Sequence, residues 1–137
     1  MKKLLPFTIL LVIVLSACMN RTSNPIEPTA ESMVVNFKNN ANFDFYGLEV
    51  AILNSSTGTV NADGSKIDKG DLVSFEFLEE DFALDGEAEM NVSVIVNGQG
   101  DVVPINKKVT IELAKNQGIF FEITGDSIEE ADIKSVK

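Results

Sequence analysis

Apolar and polar residues alternate along most of the chain after Ser32. Alternation with a period of two is typical of β-strands that bury one face. The clearest runs are residues 71–78 and 89–97, which place Val73, Phe75 and Phe77, then Met90, Val92 and Val94, on inward faces. The dipeptides Asp63-Gly64 and Asn97-Gly98 are typical of turns between such runs.

The whole pattern predicts about seven to eight short strands, with a turn every 8–12 residues and no long helix. We therefore expect residues 32–137 to form a single all-β domain, an immunoglobulin-like antiparallel β-sandwich, with a small β-barrel as the alternative. Residues 54–58 are interpreted as a loop. Residues 126–136 fit either a helical turn with capping-box spacing or a last strand, and the strand is favoured.

Three large apolar residues fall on the outward phase of their strands: Leu53, Ile95 and Phe120. Exposed apolar side chains that cluster mark a surface for a protein partner. The alternative is that a loop or the C-terminal segment covers them.

The N-terminus has the features of a secretory signal peptide. Two lysines follow Met1, and residues 4–15 are apolar apart from an interruption at Pro6. This apolar run is too short to span a bilayer, which takes about 20 residues. Two small residues, Ser16 and Ala17, then precede Cys18, the one cysteine of the chain.

The tetrapeptide Leu15-Ser16-Ala17-Cys18 resembles the lipobox of bacterial lipoproteins at every position. The resemblance implies a diacylglyceryl thioether on Cys18, cleavage before Cys18, and membrane anchoring at the extracytoplasmic face. Residues 1–17 would be the signal peptide and residues 18–31 the lipidated cysteine with a flexible tether. The alternative is an ordinary secretory signal with an incidental cysteine.

The tether interpretation rests on composition. Residues 19–31 contain few large apolar side chains and two prolines, Pro25 and Pro28, which is typical of a solvated linker. Fully extended, this linker reaches at most about 45 Å.

The charge balance narrows the choice of partners. The chain has 21 acidic and 11 basic residues and a net charge of −10. Such a chain repels nucleic acid and anionic lipid headgroups, so a cationic envelope protein is the easier partner. With no histidine and a single cysteine, disulfide, zinc, iron–sulfur and Ser-His-Asp chemistry are excluded.

Most of the negative charge is local, because no lysine or arginine occurs between Lys69 and Lys107. The candidate docking residues for a cationic partner are the acids of this window, Glu79, Glu80, Asp81, Asp85 and Glu87. The same carboxylates suggest a Ca²⁺-dependent envelope module as the alternative function. A third interpretation is a solvated loop that keeps the domain soluble.

Residues 61–68 resemble part of an EF-hand loop, with Gly64 at the turn position. Thr59 and Gly70 would take the first and last ligand positions, so we interpret the segment as a hairpin turn that pairs residues 59–60 with 66–67. No cofactor, resident metal or small-molecule substrate is predicted. An envelope enzyme ranks last, because paired carboxylates of a glycosidase need a cleft and aromatic platforms, and Trp is absent.

Overall fold

The computed structural model describes residues 24–137, and these residues form an all-β domain. Nine strands occur where seven to eight were expected. They are β1 (Ser32–Asn39), β2 (Gly47–Ile52), β3 (Ser55–Val60), β4 (Leu72–Leu78), β5 (Glu87–Ile95), β6 (Val102–Pro104), β7 (Val109–Glu112), β8 (Gln117–Thr124) and β9 (Asp132–Val136).

The strands form two sheets in a sandwich-like arrangement, which is the expected architecture rather than the barrel. One sheet has the order β4-β1-β8-β9 and is here called sheet A. The other, sheet B, has the order β3-β2-β5-β6, with β7 also paired to β5. Strand β9 confirms the extended form of the C-terminal segment, and Glu130 N–H donates to the Ser127 carbonyl in the turn before it at 3.2 Å.

The expectation of a purely antiparallel sandwich is wrong at one place. Strand β1 pairs in parallel with β8, in a register that runs from Met33 opposite Gln117 to Asn39 opposite Ile123. All other pairs are antiparallel. Because β1 and β8 are far apart in sequence, no tight hairpin dictates their relative direction. This pairing places β1 between two neighbours at the centre of sheet A.

The core is built from the inward faces that alternation predicted. Phe75, Phe77, Met90 and Val94 are all buried. Phe37 on β1 lies at the centre of an aromatic group: its ring centroid is 5.7 Å from that of Phe121 and 5.9 Å from that of Phe75. Packing of this core stabilises the domain in place of disulfide bonds, which a chain with a single cysteine cannot form internally.

Two local predictions on the β2–β4 segment are wrong. Residues 55–58 are not loop but the first part of β3, which pairs with β2 across a two-residue turn at Leu53 and Asn54. Residues 59–60 do not pair with 66–67. Instead, the N–H of buried Ile67 donates to the carbonyl of Phe45 at 2.9 Å, so the segment after the turn closes onto the core.

The topology gives the sandwich two distinct ends. The tether end is the one where β1 starts at Ser32; it also carries the β2–β3 turn, residues 79–86 and the start of β8. The distal end carries residues 40–46, 61–71, 96–101 and 125–131. The five candidate docking acids therefore lie at the tether end, within the loop of residues 79–86 or, for Glu87, directly after it.

Candidate functional site

Residues 79–86, here called the acidic loop, leave β4 through a tight turn held by one of the candidate docking residues. The Asp81 carboxylate accepts a hydrogen bond from the Leu78 N–H at 3.2 Å, and the Asp81 N–H donates to the Leu78 carbonyl at 3.0 Å. Both backbone groups of Leu78 are thus satisfied where the strand ends. Asp81 therefore has a structural task in the loop.

Glu79 also shapes the loop. Its Oε2 accepts the N–H of Leu84 at 2.8 Å, and its Oε1 lies 3.7 Å from Lys115 Nζ. Leu84 is buried, and the ring of Phe82 lies 5.8 Å from that of Phe77. Phe82 and Leu84 thus pack back onto the core, and Glu79 helps to hold them there.

The other three candidates are different. Glu80, Asp85 and Glu87 are exposed, and within residues 24–137 their carboxylates form no hydrogen bond or ion pair. Glu87 belongs to β5 as its first residue, so it lies at a fixed position on sheet B. The structure thus divides the five acids into two that stabilise the loop and three that are free to meet a cation.

The acidic loop lies directly beside the entry of the tether. The Glu79 N–H donates to the Glu31 carbonyl at 3.0 Å, and Lys115 Nζ lies 3.2 Å from the Glu31 carboxylate. The hydrogen bond with Glu31, together with the charges of Glu31 and Glu79, raises the pKa of Lys115 above its ordinary value. Ser32 is held in turn by Thr29, whose N–H donates to the Ser32 Oγ at 2.8 Å.

Two open depressions lie on the surface of the tether end. One of about 440 Å³ is lined by Glu31, Leu78, Glu79 and Glu80. The other, of about 450 Å³, lies between the β2–β3 turn and the acidic loop and is lined by Leu53, Asn54, Ser55, Asp81 and Phe82. The second depression combines Leu53, a residue of the predicted apolar surface, with Asp81, a residue of the predicted acidic docking site.

The outward apolar residues do not form one patch. Leu53 is 57% exposed at the β2–β3 turn, and Phe120 is 42% exposed on sheet A, opposite Val136 of β9. The expectation of exposure is wrong for Ile95, which is buried on sheet B. Ile95 lies next to Gly47, and a side chain added to Gly47 would sit 3.0 Å from Ile95 Cδ1, so the space over the glycine accommodates Ile95.

Side chains of the EF-hand-like segment form hydrogen bonds within the segment itself. The Asp63 carboxylate accepts hydrogen bonds from the N–H and the hydroxyl of Ser65, and Asn61 donates to the Lys66 carbonyl at 3.0 Å. Between residues 24 and 137, no three acidic side chains converge to hold a metal ion. The Ca²⁺ module stays a prediction, and it requires that millimolar Ca²⁺ raise the melting temperature.

The predicted signal peptide and Cys18 lie outside the described residues. The part of the chain from residue 24 onward contains no helix with the length and hydropathy that crossing a membrane would require. A scan against protein-family models and a search of curated proteins both return no match for this chain.

Proposed function

We propose that the protein is a lipid-anchored protein of the bacterial cell envelope, held at the extracytoplasmic face through Cys18, whose β-sandwich is a binding module rather than an enzyme. The observation that carries the proposal is the tetrapeptide Leu15-Ser16-Ala17-Cys18 at the end of a short apolar run. Two acyl chains would anchor the protein stably, since one chain alone gives only marginal binding.

The position of the tether supports a domain that stands off the bilayer. Residues 24–27 are exposed, and regular structure begins at Ser32 after a turn at residues 30–31. The tether end, with Glu31, Glu80 and Asp85, then faces the membrane, within at most about 45 Å of it. An anionic bilayer repels this end, so the sandwich is expected to remain in solution above the headgroups.

The free acids make a cationic envelope protein the proposed partner. Glu80, Asp85 and Glu87 lie at the tether end. Lys115 lies at the same end, but it forms ion pairs with Glu31 and Glu79. The distal end also contains more acids than lysines, and there Lys66 pairs with Asp44. Both ends carry an excess of acids, and the carboxylates of Glu80, Asp85 and Glu87 are the groups at the tether end that a basic partner would meet.

We propose the immunoglobulin-like variant of the sandwich on strand number. Nine strands in a four-stranded and a five-stranded sheet match the strand number of a variable-type domain. The order β4-β1-β8-β9 departs from the ABED order of that fold. Superposition on immunoglobulin domains is the test: alignment of both sheets in the same chain order supports the variant, and alignment of one sheet alone contradicts it.

The anchor is tested by fractionating cells that express the wild type, Cys18→Ser, or the control Ser16→Ala, which keeps a small residue before the cysteine. We expect the wild type and the control in the detergent phase and Cys18→Ser outside it. Because position 18 lies outside the sandwich, the melting temperature of all three should agree. Membrane retention of Cys18→Ser equal to that of the wild type would refute lipid anchoring.

A further inference from the structure

Two edge strands of the described sandwich, β3 and β4, lack the proline or lysine that commonly protects an edge against pairing. Natural proteins protect exposed edges with proline, lysine, glycine bulges or short strands. Strand β6 contains Pro104, β7 follows Lys108, and β9 carries Lys134 at its centre. Strands β3 and β4 contain no proline, lysine or bulge; all seven residues of β4 pair with β1 in an unbroken register, and its one charged residue is Glu76.

The backbone of β4 offers regular bonding groups along this edge. The Glu79 N–H bonds to the Glu31 carbonyl and the Asn39 N–H to the Asp71 carbonyl, so the odd-numbered residues bond toward β1. In an antiparallel ladder the alternate residues then point their N–H and C=O groups away from the partner. These are Leu72, Ser74 and Glu76, whose backbone groups bond to no residue in the described part of the chain.

The unpaired edges of β3 and β4 border the same flank of the sandwich. At the distal end, a depression of about 160 Å³ lies between them, lined by residues that include Thr59, Val60, Ile67 and Leu72. At the tether end, Leu53 and Phe82 line the second depression. Val60 and Leu53 are 54% and 57% exposed. The flank therefore presents apolar side chains at both ends of the β4 edge.

Charge decides which occupant fits. The β4 strand and the acidic loop carry Glu76, Glu79, Glu80 and Asp81, and no basic residue occurs from 70 to 106. A second copy of this chain, which has a net charge of −10, would bring like charges together across a β4–β4 pair. A partner strand with basic residues beside Glu76 and apolar residues toward Val60 and Leu53 complements both properties.

We propose that β4 is a strand-addition site for an extended segment of a partner protein in which apolar residues alternate with lysine or arginine. The segment pairs with the N–H and C=O groups of Leu72, Ser74 and Glu76. Its basic residues lie on the outer face of sheet A near Glu76, and its apolar residues lie in the flank between β3 and β4. This mode deepens the proposed docking of a cationic partner, on which it rests.

The test uses the purified full-length lipoprotein in neutral detergent and a fluorescent heptapeptide of alternating lysine and valine. Two control peptides keep every side chain but carry N-methyl groups on either of the two alternating sets of backbone nitrogens. One set faces β4 and the other faces away. We expect binding of the parent peptide and of one N-methylated peptide, and at least about tenfold weaker binding of the other, which has lost its N–H donors to β4.

A pair of protein variants gives an independent readout. Glu76→Pro removes an outward N–H and the geometry for pairing, whereas Glu76→Gln removes only the charge. We expect Glu76→Pro to lose at least about tenfold more affinity than Glu76→Gln, with the melting temperature reporting whether each is folded. If Glu76→Pro does not fold, the N-methylated peptides still decide.

Each outcome is interpretable. Equal binding of both N-methylated peptides would overturn strand addition and leave docking by charge intact. Binding of none of the peptides, with a basic protein still captured, would also overturn it without touching the proposed function. Self-association of the lipoprotein that Glu76→Pro abolishes would identify a second copy as the occupant and contradict a cationic partner.

Discussion

The backbone N–H of Glu79 donates a hydrogen bond to the carbonyl of Glu31 at 3.0 Å. This contact extends the β1–β4 ladder by one pair and joins the first residue of the acidic loop to the last residue of the predicted tether. The acidic loop therefore lies at the end of the sandwich from which the predicted tether leaves. In the proposed lipid-anchored protein, a partner that docks there would meet the domain on its membrane side.

Glu79→Ala should destabilise the sandwich, whereas Glu80→Ala should not. Glu79 accepts the Leu84 N–H at 2.8 Å, and its loss leaves that group without a protein partner. We expect a loss of about 1 kcal/mol in the free energy of unfolding for Glu79→Ala, measured by urea denaturation. Glu80→Ala, at an exposed and unpaired position, should stay within about 0.5 kcal/mol of the wild type. Equal effects would contradict the division of the five acids.

Removal of charge at the free acids should weaken capture of basic envelope proteins. We compare the double variant Glu80→Gln with Glu87→Gln against the control Glu129→Gln with Glu130→Gln, which changes the same charge in the turn before β9. The amount of basic protein captured, quantified by mass spectrometry, should fall for the first variant and should be abolished for the wild type at high salt. The same loss with the control variant would mean that only net charge matters.

Gly47→Ala should be strongly destabilising. A Cβ on Gly47 would lie 2.3 Å from the Thr59 carbonyl oxygen and 2.7 Å from Val60 Cγ1, distances that force β2 and β3 apart. Overpacking of this kind costs about 1–3 kcal/mol. Thermal denaturation should show a clearly lower melting temperature, with Gly98→Ala, which meets nothing within 4 Å, as the matched control. A wild-type melting temperature for Gly47→Ala would show that the β2–β3 pairing is different.

A strand of this domain is predictable from the sequence only where its own residues alternate between apolar and polar. The alternation at Val73, Phe75 and Phe77 identified β4 because each inward side chain is apolar. Strand β3 has serine, threonine and glycine, so no periodicity marks it; its pairing with β2 makes it a strand. The Leu53–Asn54 turn also lacks a signal, since Leu53 adopts a φ of 52°, which is uncommon for leucine.

The candidate site shows the same limit. Glu79, Glu80 and Asp81 could be identified from charge alone, because three consecutive acids are recognisable in the sequence itself. Their separate roles depend on Leu78 and Leu84, whose backbone N–H groups the folded loop brings to the carboxylates. Burial of Ile95 was not predictable either, since it requires knowing that Gly47 is its neighbour across β2 and β5.

Asp132 should contribute to the acid sensitivity of the domain. Its hydrogen bond from Lys107 at 2.9 Å lowers the pKa of the carboxyl below its ordinary value. A lowered folded-state pKa stabilises the protein above about pH 4 and loses that contribution as the pH falls through the depressed pKa. Asp132→Asn should therefore be less stable than the wild type at pH 7, with the difference shrinking below pH 4. A difference that is independent of pH would contradict the ion pair.

The most direct test of a lipid-anchored binding module is the intact mass of the protein extracted from its native membrane. The account predicts a chain that begins at Cys18, lacks residues 1–17, and carries a diacylglyceryl group on the cysteine sulfur, with further acylation only at the new N-terminus. A chain cleaved elsewhere, or one that retains residues 1–17 with a free Cys18 thiol, would contradict it.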